Sequence, residues 1–154
     1  MTCEVDVQIA CDGDGLPGKE QFQAWARAAV GTSRDDAELT IRIVDEAEIE
    51  HLNSTYRRKS GTTNVLSFPF DAPADVEIPL LGDIVICAPV VRREACEQSK
   101  SANAHWAHMV VHGTLHLLGF DHEKKRQAQE MEAMETRILA ELGFDNPYES
   151  RDSS

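Results

Sequence analysis

The 154 residues suit one domain with room for a core, and 42% hydrophobic with 27% charged residues is the balance of a folded globular protein. Fifteen basic against 27 acidic residues leave a formal net charge of −12, which excludes a general nucleic-acid coat with a basic face but leaves room for a local site. No apolar run approaches the roughly 18 residues of a membrane span, and the N-terminal MTCEVDVQIA lacks a basic region followed by an apolar stretch, so a cytoplasmic protein is expected.

Val5, Val7 and Ile9 alternate with polar residues as a strand does. The turn-rich CDGDGLPG follows; Asp12 and Asp14 suggest a calcium loop, but its Gly and later acidic ligand are misplaced. From Lys19 to Val30, Phe22, Trp25, Ala26 and Ala29 recur at helical spacing, and Leu39, Ile41 and Ile43 predict a second strand. Asp45 with Glu48 three residues later predicts a capped helix that carries Ile49, Leu52 and Tyr56 on one face. NVLSFPF reads as a third strand stopped at Pro69, DAPADVEIPLL as a long acidic loop and GDIVIC as a buried fourth strand. Pro89 is placed to open a helix running to Lys100.

Asn103 is the expected cap of a helix over 104–118. A last helix from about Glu123 to Leu142 presents Met131, Met134, Ile138 and Leu142 on its apolar face and ends at Gly143. The tail from about residue 146 is expected to fray. These elements make a single α+β domain over 1–154, with a small mixed four-stranded sheet packed against about five helices. Cys3, Cys11, Cys87 and Cys96 form no C-x-x-C pair and read as reduced cysteines without a functional part.

Five of the six histidines fall within AHWAHMVVHGTLHLLGFDH. Residues four apart on a helix are neighbours on one face, so His112 and His116 can converge on one ion at about 2.0–2.1 Å each. His108 shares that face but lies two turns, about 12 Å, from His116. It reads with His105 as structural. A third ligand needs a chain that turns back: Gly119 can adopt the left-handed helix-ending conformation, and His122 follows three residues later.

The pattern H-x-x-x-H-x-x-G-x-x-H has the zincin-like outline of the three-histidine metzincin site, a helix in the C-terminal half plus the turn after it. Three imidazoles leave a fourth zinc position open, as in catalytic sites. Asp121 is placed either to orient a ligand or to sit solvated in the turn. Zinc peptidases of the H-E-x-x-H type carry a general-base Glu beside the first ligand. Here that position is Gly113, which removes the base.

A second unusual segment, LNSTYRRKSGTTNVLSFPF, sets Arg57, Arg58 and Lys59 between a helix and a strand. Alone it reads as a solvated patch; beside a metal cleft it would bind phosphate, for which arginine offers a planar, permanently charged fork.

HGTLHLLGFDH, together with LNSTYRRKSGTTNVLSFPF and LLGDIVIC, resembles the YbeY family of bacterial endoribonucleases over roughly residues 40–145. The resemblance implies an α+β fold with a metal cleft and single-strand-specific cleavage of RNA. It also implies maturation of ribosomal RNA, especially the 3′ end of the small-subunit RNA, and ribosome quality control. The family's zinc histidines fall on His112, His116 and His122, and its important arginine in Y-R-x-K falls on Arg57 rather than Arg58. That motif often continues with Asp and then Pro, where this chain has Ser60 and Thr62.

The expected chemistry is metal-assisted phosphodiester hydrolysis with Arg57 neutralising charge on the phosphoryl oxygens, and with water or the ribose 2′-hydroxyl as nucleophile. The expected partners are single-stranded RNA, ribosomal RNA or the small ribosomal subunit, not DNA or membrane. Zinc suits three imidazoles best, and nickel or copper would also bind. Two other classes fit the same residues: a zinc hydrolase of peptides or small molecules, and a ribosome-assembly binding protein with a structural metal.

Overall fold

The computed structural model describes residues 2–13, 15–31, 34, 36–57, 61–70, 78–120 and 125–148. In chain order the elements are β1 (Thr2–Ile9), α1 (Lys19–Val30), β2 (Asp36–Val44), α2 (Glu46–Arg57), β3 (Val65–Pro69), β4 (Leu80–Cys87), α3 (Ala88–Glu97), α4 (Ala102–Leu117) and α5 (Lys125–Glu141). The four strands form one mixed sheet in the order β1-β2-β4-β3, matching the expected α+β architecture. β1, β2 and β4 run parallel, and β3 pairs antiparallel to β4. The sheet edges are thus β1 and β3.

Period-two alternation sorts the sheet into two faces. Val5, Val7, Leu39, Ile41, Ile43, Ile84 and Ile86 join one core with Phe22, Trp25, Ala26 and Ala29 of α1 and with Trp106, Val110 and Leu115 of α4. Leu66 and Val85 turn the other way and pack with Val44, Ile49, Cys87 and Val90 in a smaller cluster. Three aromatic rings tie α1 to α4: Phe22 meets Trp25 and Trp106 edge-on at 5.7 and 5.5 Å between centroids.

Side-chain caps start two of the helices. Asp45 accepts from the Glu48 amide at 3.0 Å, which starts α2 as its spacing predicts. Ser101 rather than Asn103 caps α4, its Oγ accepting from the Ala104 amide at 3.1 Å. The reason lies in the preceding chain: Ser99 takes a positive φ of 55° after α3, ending that helix short of Lys100 and leaving Ser101 in the extended conformation of a cap. Strand β4 starts at Leu80, inside the stretch read as loop. Its pairing with β2 slips between Glu38 and Leu39, and this irregularity breaks the alternation that would have marked the strand.

Helix α4 is the central element, contacting α1, α3, α5, β3 and β4. Its seat on the sheet depends on Gly113. A Cβ there would stand 2.8 Å from Cγ2 of Ile84, itself fully buried. The Ser67 hydroxyl of β3 also donates to the Gly113 carbonyl at 3.2 Å. An unhindered helical Gly→Ala change stabilises by about 1 kcal/mol, whereas overpacking costs about 1–3 kcal/mol. Gly113→Ala is therefore expected to lower the unfolding free energy by about 1 kcal/mol in denaturant titration. A gain in stability would show that α4 does not rest on Ile84 as described.

Candidate metal centre

His105, His108, His112 and His116 follow one another along a single face of α4, with successive ring centroids 6.1, 6.2 and 4.6 Å apart. Burial grades along the row. His105 and His108 are buried, while His112 and His116 are partly open.

The open pair converges. Nε2 of His116 lies 3.1 Å from Nε2 of His112, as the four-residue spacing predicts. Two zinc–nitrogen bonds of about 2.0–2.1 Å at a tetrahedral angle put their nitrogens about 3.3 Å apart. The pair thus fits two ligands of one ion with little movement.

His112 is held from behind by Glu135, a fully buried carboxylate of α5. Its Nδ1 lies 2.6 Å from Glu135 Oε1. A carboxylate only accepts, so Nδ1 carries the proton and a neutral His112 offers its lone pair at Nε2. Glu135 Oε2 takes two further donors, His108 Nε2 at 3.1 Å and the Tyr148 hydroxyl. Burial pushes the Glu135 carboxyl up, but the hydrogen bonds from His108, His112 and Tyr148 together outweigh it and hold the group at about 2. The same contact works in reverse on Tyr148, whose phenol is raised by burial and then by Glu135.

His108, His112 and Glu135 bring one ligand atom each within 4.8 Å of one another, so this group could also hold a metal ion. The helix ends as the turn requires. Gly119 has φ of 104°, its amide donates to the His116 carbonyl at 3.0 Å, and the Phe120 amide donates to Leu115 at 3.1 Å. This is a Schellman closure, which reverses the chain immediately after the second histidine. Asp121 and His122 lie outside the described residues.

A second polar chain leaves the other end of α4. His105 Nε2 meets Glu94 Oε1 of α3 at 2.9 Å, and Asn64 Nδ2 donates to both Glu94 oxygens at 3.1 and 3.3 Å. Burial lowers the His105 pKa, and Glu94 opposes that. Asn64 precedes β3, and Asn53 of α2 donates to the Gly61 carbonyl at 3.2 Å. The chain is therefore pinned on both sides of the basic segment. Arg57 is the last residue of α2; its side chain, with Arg58 and Lys59, lies outside what the structure describes.

Two participants escaped the sequence reading. Glu135 stands among Met131, Met134, Ile138 and Leu142, so the available signal was a charge on an apolar helix face, a position that demands buried partners. Tyr148 belongs to a polar tail whose pattern suggested fraying. Residues 146–148 are instead docked: the Tyr148 ring sits edge-on to His108 at 5.4 Å, and its amide donates to Asn146 Oδ1 at 2.8 Å.

The fold resembles the solution structure of TM1509 from Thermotoga maritima, with a TM-score of 0.58 and 25% identity over 93% of this chain and 99% of that one. The family model described as endoribonuclease YbeY matches residues 14–143. That match spans three of the four strands, both pinned ends of the basic segment and the histidine helix, and the chain belongs to the YbeY endoribonuclease family.

Proposed function

We propose that the protein is a zinc-dependent, single-strand-specific endoribonuclease of ribosomal RNA maturation, acting at the 3′ end of the small-subunit RNA and in ribosome quality control. In this reading His112, His116 and His122 hold the ion and Arg57 binds the scissile phosphate, with Arg58 and Lys59 along the RNA backbone and Asp121 orienting a ligand. The observation that carries it is the 3.1 Å approach of the two Nε2 atoms, with His112 locked from behind by Glu135.

The alternative grouping of His108, His112 and Glu135 fits an ion less well. Two ligands of one zinc ion stand about 3.3 Å apart, and 2.6 Å between His112 Nδ1 and Glu135 Oε1 is a charge-assisted hydrogen bond instead. Glu135 then serves as the buried acceptor that orients a ligand and raises its basicity.

A zinc ion in this place supplies Lewis acidity and lowers the pKa of water toward neutrality. The chain's own residues do the rest. Arg57 sits at the end of a helix whose following segment is pinned through Asn64 and Glu94 to the histidine helix, an arrangement that supports its delivery to phosphate oxygens. Either the ribose 2′-hydroxyl attacks phosphorus and the bond to the 5′-oxygen breaks, leaving a 2′,3′-cyclic phosphate and a 5′-hydroxyl, or water attacks and one phosphorus–oxygen ester bond breaks, leaving a phosphomonoester and a hydroxyl. In both routes the nucleophile's proton passes in net to the leaving oxygen while the guanidinium neutralises the developing charge. A net charge of −12 restricts RNA contact to this basic segment and the site.

The peptidase reading is disfavoured by Gly113, since a side chain there meets Ile84 and a general-base carboxylate has no room. A closed structural metal is disfavoured by exposure, because the His112 side chain is 24% accessible. None of the described helices is long and apolar enough to cross a membrane; action in the cytoplasm belongs to the proposal.

The test is cleavage of single-stranded RNA by protein of defined metal content. His116→Ala is expected to lose both zinc and cleavage; cleavage at the wild-type rate would overturn the site. Arg57→Ala is expected to keep zinc and lose about 10²–10³-fold in turnover. An unchanged rate would instead favour a hydrolase of peptides or small molecules. Chelation is expected to stop cleavage while far-UV circular dichroism stays native, because the described core contains no part of the ion site. Unfolding on chelation would mark the metal as structural. A cyclic phosphate on the product would assign attack to the 2′-hydroxyl.

A further inference from the structure

We infer that Tyr148 is a positioning residue for the metal site: through Glu135, its hydroxyl fixes His112 with Nε2 turned toward His116. The inference rests on the metal site proposed above.

The argument starts from a carboxylate in the wrong solvent. Glu135 has no exposed surface and lies beside Met131, Ile138 and Leu139, so its charge is stable there only with its oxygens occupied by donors. Three donors supply this, divided unequally. His112 alone takes Oε1, while His108 and Tyr148 share Oε2. The grip on Oε2 leaves Oε1 for His112 and sets the carboxylate plane. That plane sets the imidazole, and the imidazole sets the direction of Nε2.

Of the three donors, Tyr148 has the most elaborate route to its place. The chain leaves α5 through Gly143, at φ 93°, with the Phe144 amide donating back to Leu139 at 2.8 Å. Phe144 then packs edge-on against Trp25 of α1 at 6.1 Å. Asn146 holds the Tyr148 amide, and its Oδ1 lies 3.4 Å from the Thr136 hydroxyl of α5. These contacts fold the segment back along α5. Tyr148 keeps 45% of its surface exposed, yet its hydroxyl reaches the buried carboxylate. An aromatic side chain placed only to cover apolar surface has no need of that contact.

Phenylalanine at 148 keeps the ring against His108 and deletes only the hydroxyl. Oε2 then has one donor, the carboxylate is free to turn, and the His112 bond loosens. Changing a partner that orients a metal ligand weakens binding by about 10–100-fold, and a group one step further out should act at the weak end of that range.

The experiment uses the full chain. Zinc affinity is measured by competition with a chelator, and the visible absorption of the cobalt-substituted protein reports the coordination geometry. Wild type, Tyr148→Phe, Glu135→Gln and the double variant are compared, with His116→Ala as the reference for loss of the site. The expected result is about tenfold weaker zinc binding and an altered cobalt spectrum for Tyr148→Phe. The double variant should bind no more weakly than Glu135→Gln alone, because both changes act on one contact. Wild-type affinity with an unchanged spectrum in Tyr148→Phe would overturn the inference, as would full additivity of the two losses. A wild-type protein that bound no metal, or a His116→Ala variant that bound it normally, would overturn the metal site itself and is read separately.

Discussion

Helix α4 can rest on strand β4 because residue 113 has no side chain, and the histidines before and after it inherit their positions from that contact. The helix is buried on most of its circumference, contributing Trp106, Val110, Val111 and Leu115 to the core. Such a helix has little freedom to slide or rotate. His112 precedes the contact by one residue, and the Ser67 hydroxyl fixes the carbonyl at the contact itself. Where the backbone carries His112 and His116 is therefore set by close packing of apolar surface, and the polar groups around His112 then orient its ring.

That rigidity creates a second requirement. A row of four imidazoles on a mostly buried helix carries polar atoms into a region where each needs a partner. Helices on either side answer it for one nitrogen of each of three rings, Glu94 from α3 for His105 and Glu135 from α5 for His108 and His112, while Nδ1 of His105 and of His108 is buried without a hydrogen-bond partner among the described residues. The two anions differ in what lies behind them. Glu94 is backed by Asn64 and so couples the row to the strand beside the basic segment. Glu135 is backed by the chain's C-terminal portion. Glu94 itself is partly open, whereas Glu135 is fully buried.

What the sequence disclosed and what it hid divides by distance along the chain. The pairing of His112 with His116 follows from a four-residue interval, and the turn at Gly119 from one residue type with access to positive φ. Asp45 and Glu48 announced α2 in the same local way. Glu135 lies 23 residues from His112 and Tyr148 lies 40 from His108, and no periodicity links residues so far apart. Asn103 is a competent cap by residue type, and so is Ser101 two positions before it. The choice was made by the backbone at Ser99, which the pattern of side chains does not report. The start of β4 is hidden because Leu81 is skipped in its pairing with β2, again a property of two strands and not of one.

The sheet's two edges carry a consequence for behaviour in concentrated solution. Edge strands offer unpaired backbone groups to any neighbouring chain, and folded proteins commonly blunt them. Strand β3 spans only Val65–Pro69, and its terminal Pro69 has no amide proton to donate. Strand β1 is longer, but it carries Glu4 and Asp6 within Thr2–Ile9. A second copy approaching that edge would bring like charges together on a molecule already at −12. Association through the sheet is opposed at both margins, by brevity and proline at one and by repulsion at the other, so an open four-stranded sheet can persist without joining its copies into a longer one.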